Sequence, residues 1–129
     1  MAQHQQGDFV FPDLSFKIIG AAFEVYNQLG SGHREKIYQN AMSVQFKKAE
    51  INFEKEIYHP LIFKGENIGK NYFDFLVEDK VVVELKRSDF FSASHFEQVN
   101  NYLKTAHLKL GLLISFTSRN VRIKRVINL

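Results

Sequence analysis

Asp74-Phe75-Leu76-Val77-Glu78-Asp79-Lys80-Val81-Val82-Val83-Glu84-Leu85-Lys86 is the stretch on which the fold turns. Two runs rich in apolar residues flank the polar triplet Glu78-Asp79-Lys80, which reads as a tight connection between antiparallel strands. Side chains alternate along a strand, so Val81, Val83 and Leu85 share one face while Val82, Glu84 and Lys86 share the other. By the same period Phe73, Phe75 and Val77 point one way and Tyr72, Asp74 and Leu76 the other. A three-residue loop at 78–80 pairs residue 77 with 81, which sets Asp74 opposite Glu84. Facing residues have Cβ atoms about 4.5–5.5 Å apart, and two like charges so placed are destabilising unless a cation lies between them. A hard divalent ion with oxygen ligands meets that need, and so does the Lys86 ammonium alone. The loop lacks the glycine usual in such connections, so the pairing is conditional on it.

Outward from this hairpin the chain changes period. Residues 53–63 alternate and precede the turn signal Lys64-Gly65-Glu66-Asn67, so a strand runs before Ile68–Val77. Upstream, Leu14, Ile18, Ala21, Val25 and Leu29 recur at helical spacing after Pro12, with Asp13 as a cap and Gly30 and Gly32 as the stop. A second helix is predicted from Arg34 to Glu50, with Ile37, Ala41 and Val44 on one face and Tyr38, Met42 and Gln45 beside it. Downstream, Ser92 or Ser94 starts a helix carrying Phe96, Val99 and Leu103. Leu108–Phe116 reads as a buried strand and Val121–Leu129 as an alternating one. The order α-α-β-β-β-α-β-β defines an α+β domain with a mixed sheet over residues 13–129, after a flexible tail at 1–12.

The 129 residues suit one domain and exclude a two-domain enzyme. The absence of cysteine excludes disulfides, thiolate zinc sites, iron–sulfur clusters and a cysteine nucleophile. No apolar run approaches the ~18 residues of a membrane span, and Met1–Asp8 lacks an apolar signal region. A soluble, cytoplasmic protein without a membrane partner is the expectation. Charge is uneven: residues 1–83 hold 9 Lys/Arg against 11 Asp/Glu, and residues 84–129 hold 8 against 3. Arg119, Arg122, Lys124 and Arg125 lie within the last eleven residues, a pattern that attracts phosphate backbones or merely solvates a strand. The histidines show no metal-ligand spacing, and Gly30-Ser31-Gly32 lacks the rest of a phosphate-binding loop.

Asp74, nine residues, then Glu84-Leu85-Lys86 resembles the D…(D/E)xK core of the PD-(D/E)xK nuclease superfamily. The order α-β-β-β-α-β over residues 34–116 is similar to that superfamily's restriction-endonuclease-like core, here with an extra N-terminal helix and a C-terminal strand. Gly32-His33-Arg34-Glu35-Lys36-Ile37-Tyr38 resembles the signature of the small GxxExxY proteins within it. The likeness resumes at Gln98–Leu103, at Leu110–Ile114 and at Ile123–Val126. Gln98 and Tyr102 match the QxxxY motif of the RecB-like and lambda-exonuclease-like branches.

This resemblance implies a Mg²⁺- or Mn²⁺-dependent nuclease. Asp74 and Glu84 would be metal ligands, with the Leu85 carbonyl a further one. Lys86 would serve the attacking water or the charge on phosphorus, and Glu35 would be an additional carboxylate. Gln98 and Tyr102 would line the site. Arg119, Arg122, Lys124, Arg125 and Tyr38 are the expected nucleic-acid contacts, with DNA as partner and RNA left open. The stretch Arg87-Ser88-Asp89-Phe90-Phe91 is more aromatic than the family pattern, which bears on substrate contacts. No separate DNA-reading motif is present, so cleavage without strong sequence specificity is expected, and a homodimer would grip both strands. The alternative is a non-catalytic nucleic-acid-binding or assembly module on the same fold.

Overall fold

A computed structural model describes residues 10–129 of the chain. Three helices, α1 (Pro12–Leu29), α2 (Glu35–Lys48) and α3 (Ala93–Ala106), pack on a five-stranded sheet. Its strands are β1 (Phe53–Phe63), β2 (Glu66–Val77), β3 (Val81–Lys86), β4 (Leu110–Phe116) and β5 (Val121–Ile127), adjacent in chain order. Neighbours pair antiparallel except β3 and β4, which are parallel because α3 crosses between them. This is the α+β, mixed-sheet architecture expected. Among the described residues, no helix is long and apolar enough to cross a membrane.

Two apolar clusters sandwich the sheet. On one face α1 and α2 set Ile18, Val25, Tyr38, Met42 and Phe46 against Phe75, Val83, Leu85, Leu112 and Ile114. On the other, α3 sets Val99 and Leu103 against Phe73, Val82, Leu113 and Val126. The approach of α3 is close: a Cβ built at Gly111 of β4 would lie 2.5 Å from Val99 Cγ1. Only glycine lets the helix settle there.

Several expectations are corrected. Residues 1–9 of the expected tail lie outside the described residues; Val10 is buried, and its carbonyl accepts from Arg125 Nη2 at 3.0 Å. Helix α1 is preceded by Phe11 in the left-handed region, with no side-chain cap, and Asp13 lies in its first turn. Helix α2 buries Tyr38, Gln39, Met42, Ser43 and Phe46, whereas Val44 is 54% exposed. The stripe Tyr38–Met42–Phe46 carries two aromatic rings, which have far more area to bury than Ile37, Ala41 and Val44. Ser92 starts α3 through a capping box with His95, as one of the two serines was expected to. Of the three apolar residues that α3 carries, Val99 and Leu103 are buried and Phe96 is exposed.

Candidate active site

The loop Glu78-Asp79-Lys80 makes the register predicted for it without glycine. Glu78 and Asp79 both take left-handed φ, 53° and 56°, and Lys80 N donates to Val77 O at 2.9 Å. The strain is countered from outside the loop: Glu78 N donates to Asn52 O, and Asn52 N donates to Glu78 Oε2, both at 2.9 Å. Val77 therefore pairs with Val81, Leu76 with Val82 and Phe75 with Val83. The ladder ends there, and β2 continues alongside β1 alone while β3 continues alongside β4.

Asp74 and Glu84 stand in the fork where the two strands part. Backbone amides at a fork lose their ladder partners, and buried N–H groups must find others. The carboxylates supply them: Leu85 N donates to Asp74 Oδ2 at 2.8 Å, and Asp74 N to Glu84 Oε1 at 3.2 Å. The fork coincides with a rotation in β1 and β2. Glu56, which counts opposite Asp74, has φ 57°, and neither residue belongs to the β1–β2 ladder. Across this break Phe75 and Phe53 pack toward α2, but Phe73 and Ile57 pack toward α3. The expectation that Phe73 and Phe75 share a face is thus overturned by one left-handed residue in the neighbouring strand.

Glu84 is 9% exposed and sits beside a second carboxylate. Burial first, then the charge of Asp74 and a hydrogen bond between the two carboxyl groups, push its pKa up to about 9; Lys86 offsets part of this. Lys86 Nζ lies 3.3 Å from Glu84 Oε2, with its side chain mostly covered. The far side of Asp74 is held from α2, where Gln39 Nε2 donates to Asp74 Oδ1 at 2.9 Å. Gln39 is itself oriented, since Lys36 Nζ donates to its Oε1 at 2.9 Å and to Glu56 Oε1 at 2.7 Å. A polar chain thus runs from β1 through α2 to the fork. Sequence reasoning missed Gln39, although the Tyr38–Met42–Phe46 stripe, once chosen as the buried face, brings Gln39 in with it.

Of the sequence-derived site residues, Asp74, Glu84, Leu85 and Lys86 come together. Glu35, the first residue of α2, is exposed and acts electrostatically on His95. His95, also missed as a neighbour of the site, feels the charge of Lys86. Its pKa is lowered, by burial first and by Lys86 second. Gln98 Oε1 accepts from Asn71 Nδ2 at 3.4 Å, and Tyr102 packs on Phe73 with ring centroids 4.9 Å apart. Gln98 thus sits by Asn71 and Tyr102 by Phe73, the residue before Asp74, and neither has a hydrogen bond to the carboxylates. Among the described residues no group of three or more His, Cys, Asp or Glu side chains is gathered as for a metal.

The donor set nevertheless fits a hard cation. Both Asp74 oxygens and Glu84 Oε1 each accept one hydrogen bond and retain a lone pair, Glu84 Oε2 faces the Lys86 ammonium at 3.3 Å, and the two neighbouring carboxyl groups share that one ammonium. Magnesium keeps several waters and is held by one or two carboxylates.

The expected contact with nucleic acid at Tyr38 is not possible as placed. Tyr38 is fully buried, stacked on Phe116 at 4.2 Å, and its hydroxyl donates to Gly30 O at 2.6 Å. It ties the α1–α2 turn to the end of β4. Arg122 and Lys124 are exposed on the α3 face, with Lys124 Nζ 6.0 Å from the Phe96 ring centroid. Arg125 is half-buried on the other face, beside Val10. It does not join them.

A forked antiparallel hairpin thus sets two carboxylates in the fork and a lysine two residues beyond. The sequence profile of the PD-(D/E)XK nuclease superfamily matches residues 12–126, and the chain belongs to that superfamily. Its members usually hydrolyse phosphodiester bonds of nucleic acids and generally use divalent metals such as Mg²⁺. A search of curated proteins returns no match. The fold is also similar to a solved structure described as the crystal structure of SSO0001. That likeness has a TM-score of 0.55 and 20% identity, and it covers 72% of this chain and 50% of that one. It supports the fold alone, and this chain spans half the length of that neighbour.

Proposed function

We propose that this chain is a Mg²⁺- or Mn²⁺-dependent nuclease that cuts DNA without strong sequence specificity, of the GxxExxY group and the RecB-like, lambda-exonuclease-like side of the superfamily. The observation that carries the reading is the Asp74–Glu84 pair in the fork with the Lys86 ammonium 3.3 Å from Glu84. Asp74, Glu84 and the Leu85 carbonyl would hold the ion, which when bound polarises a phosphoryl oxygen and lowers the pKa of its water. The chain's own residues do the rest. Leu85 N and Gln39 fix the rotamer of Asp74 from opposite sides, so both of its oxygens keep a set direction. The mostly covered Lys86 ammonium takes the place of bulk water at the rim of the fork. There it exchanges a proton with the attacking water or meets the charge gathering on phosphorus. His95 lies within electrostatic reach of both Lys86 and Glu35. One chain has one fork, so cutting both strands of a duplex takes two copies, which favours a homodimer at work.

Single-turnover cleavage of linear and circular DNA with Mg²⁺ or Mn²⁺ tests this, comparing wild type, Lys86→Met and Glu84→Ala. Lys86→Met is expected to bind DNA nearly as wild type while cleavage falls ~10²–10⁴-fold, the range of general acid–base contributions. A wild type that binds DNA and cuts nothing under any metal sinks the enzyme and leaves a binding module. Undiminished cleavage in both variants sinks the residue assignment.

A further inference from the structure

The segment that leaves Lys86 carries a solvent-facing ring on a fixed backbone. Phe90 is 78% exposed. Yet Arg87 Nη1 donates to His33 O at 3.0 Å, Ser88 Oγ to Phe90 O at 2.8 Å and Arg122 Nη1 to Asp89 O at 2.8 Å. Ser118 donates through both N and Oγ to Asp89 Oδ1, and Ser115 Oγ donates to Ser88 O. Bonds at four successive residues, 87–90, hold the backbone that carries the ring. Its exposure is therefore not the accident of a loose loop.

Cations flank the ring. A cavity of about 530 Å³ is lined by Phe90, Phe91, Phe96, Glu97, Arg122 and Lys124 among others. That volume falls within the range of sites for small organic groups. A second cavity of about 310 Å³ shares Phe90 and Arg122 and adds Arg119. Rings and positive charges thus share one strip of surface on the α3 side of the sheet. Phe90 is four positions on from Lys86, at most ~14 Å of chain, so the strip begins within a few nucleotides of the carboxylates.

We propose that this strip is a subsite for unpaired nucleotides, with a base stacked on Phe90 and its phosphates on Arg122 and Lys124. The inference rests on the nuclease reading of the fork and names the form of its substrate: single-stranded DNA, or a duplex end frayed to single strands. Bases in a duplex are stacked on one another and offer no free face, whereas an unpaired base of any identity has one. Stacking of this kind is sequence-tolerant, because every base has a π-face. Phe96, exposed on α3 and lining the same cavity, is a second ring in the groove.

The test is fluorescence anisotropy in EDTA, where nothing is cut, with labelled oligothymidylate and a duplex of equal length. Wild type is expected to bind the single strand more tightly than the duplex. Phe90→Ala is expected to lose about tenfold on the single strand and nothing on the duplex, the loss of one stacked base. Phe90→Tyr keeps the ring and the affinity. Equal losses on both forms, no loss on the single strand, or no binding of either form overturns the subsite. Cleavage measured alongside separates the two readings. If wild type cuts, Lys86→Met does not, and Phe90→Ala binds single strands as wild type does, the subsite alone is overturned. If nothing is cut but binding depends on Phe90 as described, the nuclease reading falls and the strip stands as a single-strand binding surface.

Discussion

Glu84→Gln in the metal-free protein isolates the charge conflict in the fork, because the amide copies the protonated acid. The wild-type carboxyl has a folded pKa raised to about 9 by burial and by Asp74. The same side chain in the unfolded chain loses its proton near 4.5. Between these values the folded state holds a proton that the unfolded state has released, so stability falls as pH rises. His59 and His95 act with the opposite sign, since burial lowers both, and they gain stability as pH rises toward 6.5. A window from pH 7.0 to 8.5 avoids them. One proton corresponds to ~1.4 kcal/mol per pH unit, so wild type is expected to lose about 2 kcal/mol across the window. In a domain of this size that lowers Tm by roughly 5–10 °C. Urea unfolding in EDTA, at fixed ionic strength, reads the slope directly. Glu84→Gln is expected to be nearly flat, and Mn²⁺ is expected to raise the wild-type Tm more at pH 8.5 than at pH 7.0 by displacing the proton. Parallel pH slopes in wild type and Glu84→Gln would refute the argument, because the conflict could then not reside at Glu84.

Three further outcomes follow from the same geometry. Gly111→Ala is expected to cost ~1–3 kcal/mol by pressing a methyl against Val99 and Val82, read in urea; an unchanged midpoint would mean that α3 shifts freely. Gln39→Leu removes the outer hold on Asp74 and is expected to weaken Mn²⁺ binding by calorimetry ~10–100-fold, whereas unaltered affinity would make Gln39 a core residue only. Arg122→Gln with Lys124→Gln is expected to flatten the salt dependence of DNA binding by about two units, and Arg125→Gln to leave it unchanged. A slope insensitive to the double replacement would route the nucleic acid elsewhere.

The sequence by itself was enough for the element order, the Val77–Val81 register and the meeting of Asp74 with Glu84. These depend on local quantities: a period of two, a loop of three residues and the spacing of two carboxylates. The same period separates Arg122 and Lys124 from Arg125. Tertiary structure decided what local period cannot. Which stripe of α2 turns inward depended on the area that Tyr38 and Phe46 bury against Phe116 and Phe75, residues remote in the chain, and that choice carried Gln39 to the fork. The rotation that parts Phe73 from Phe75 comes from Glu56 in the adjacent strand, a backbone conformation that its residue type does not announce. Phe90 is as apolar as Phe46, and only the bonds that pin its loop determine that one ring faces solvent while the other closes the core.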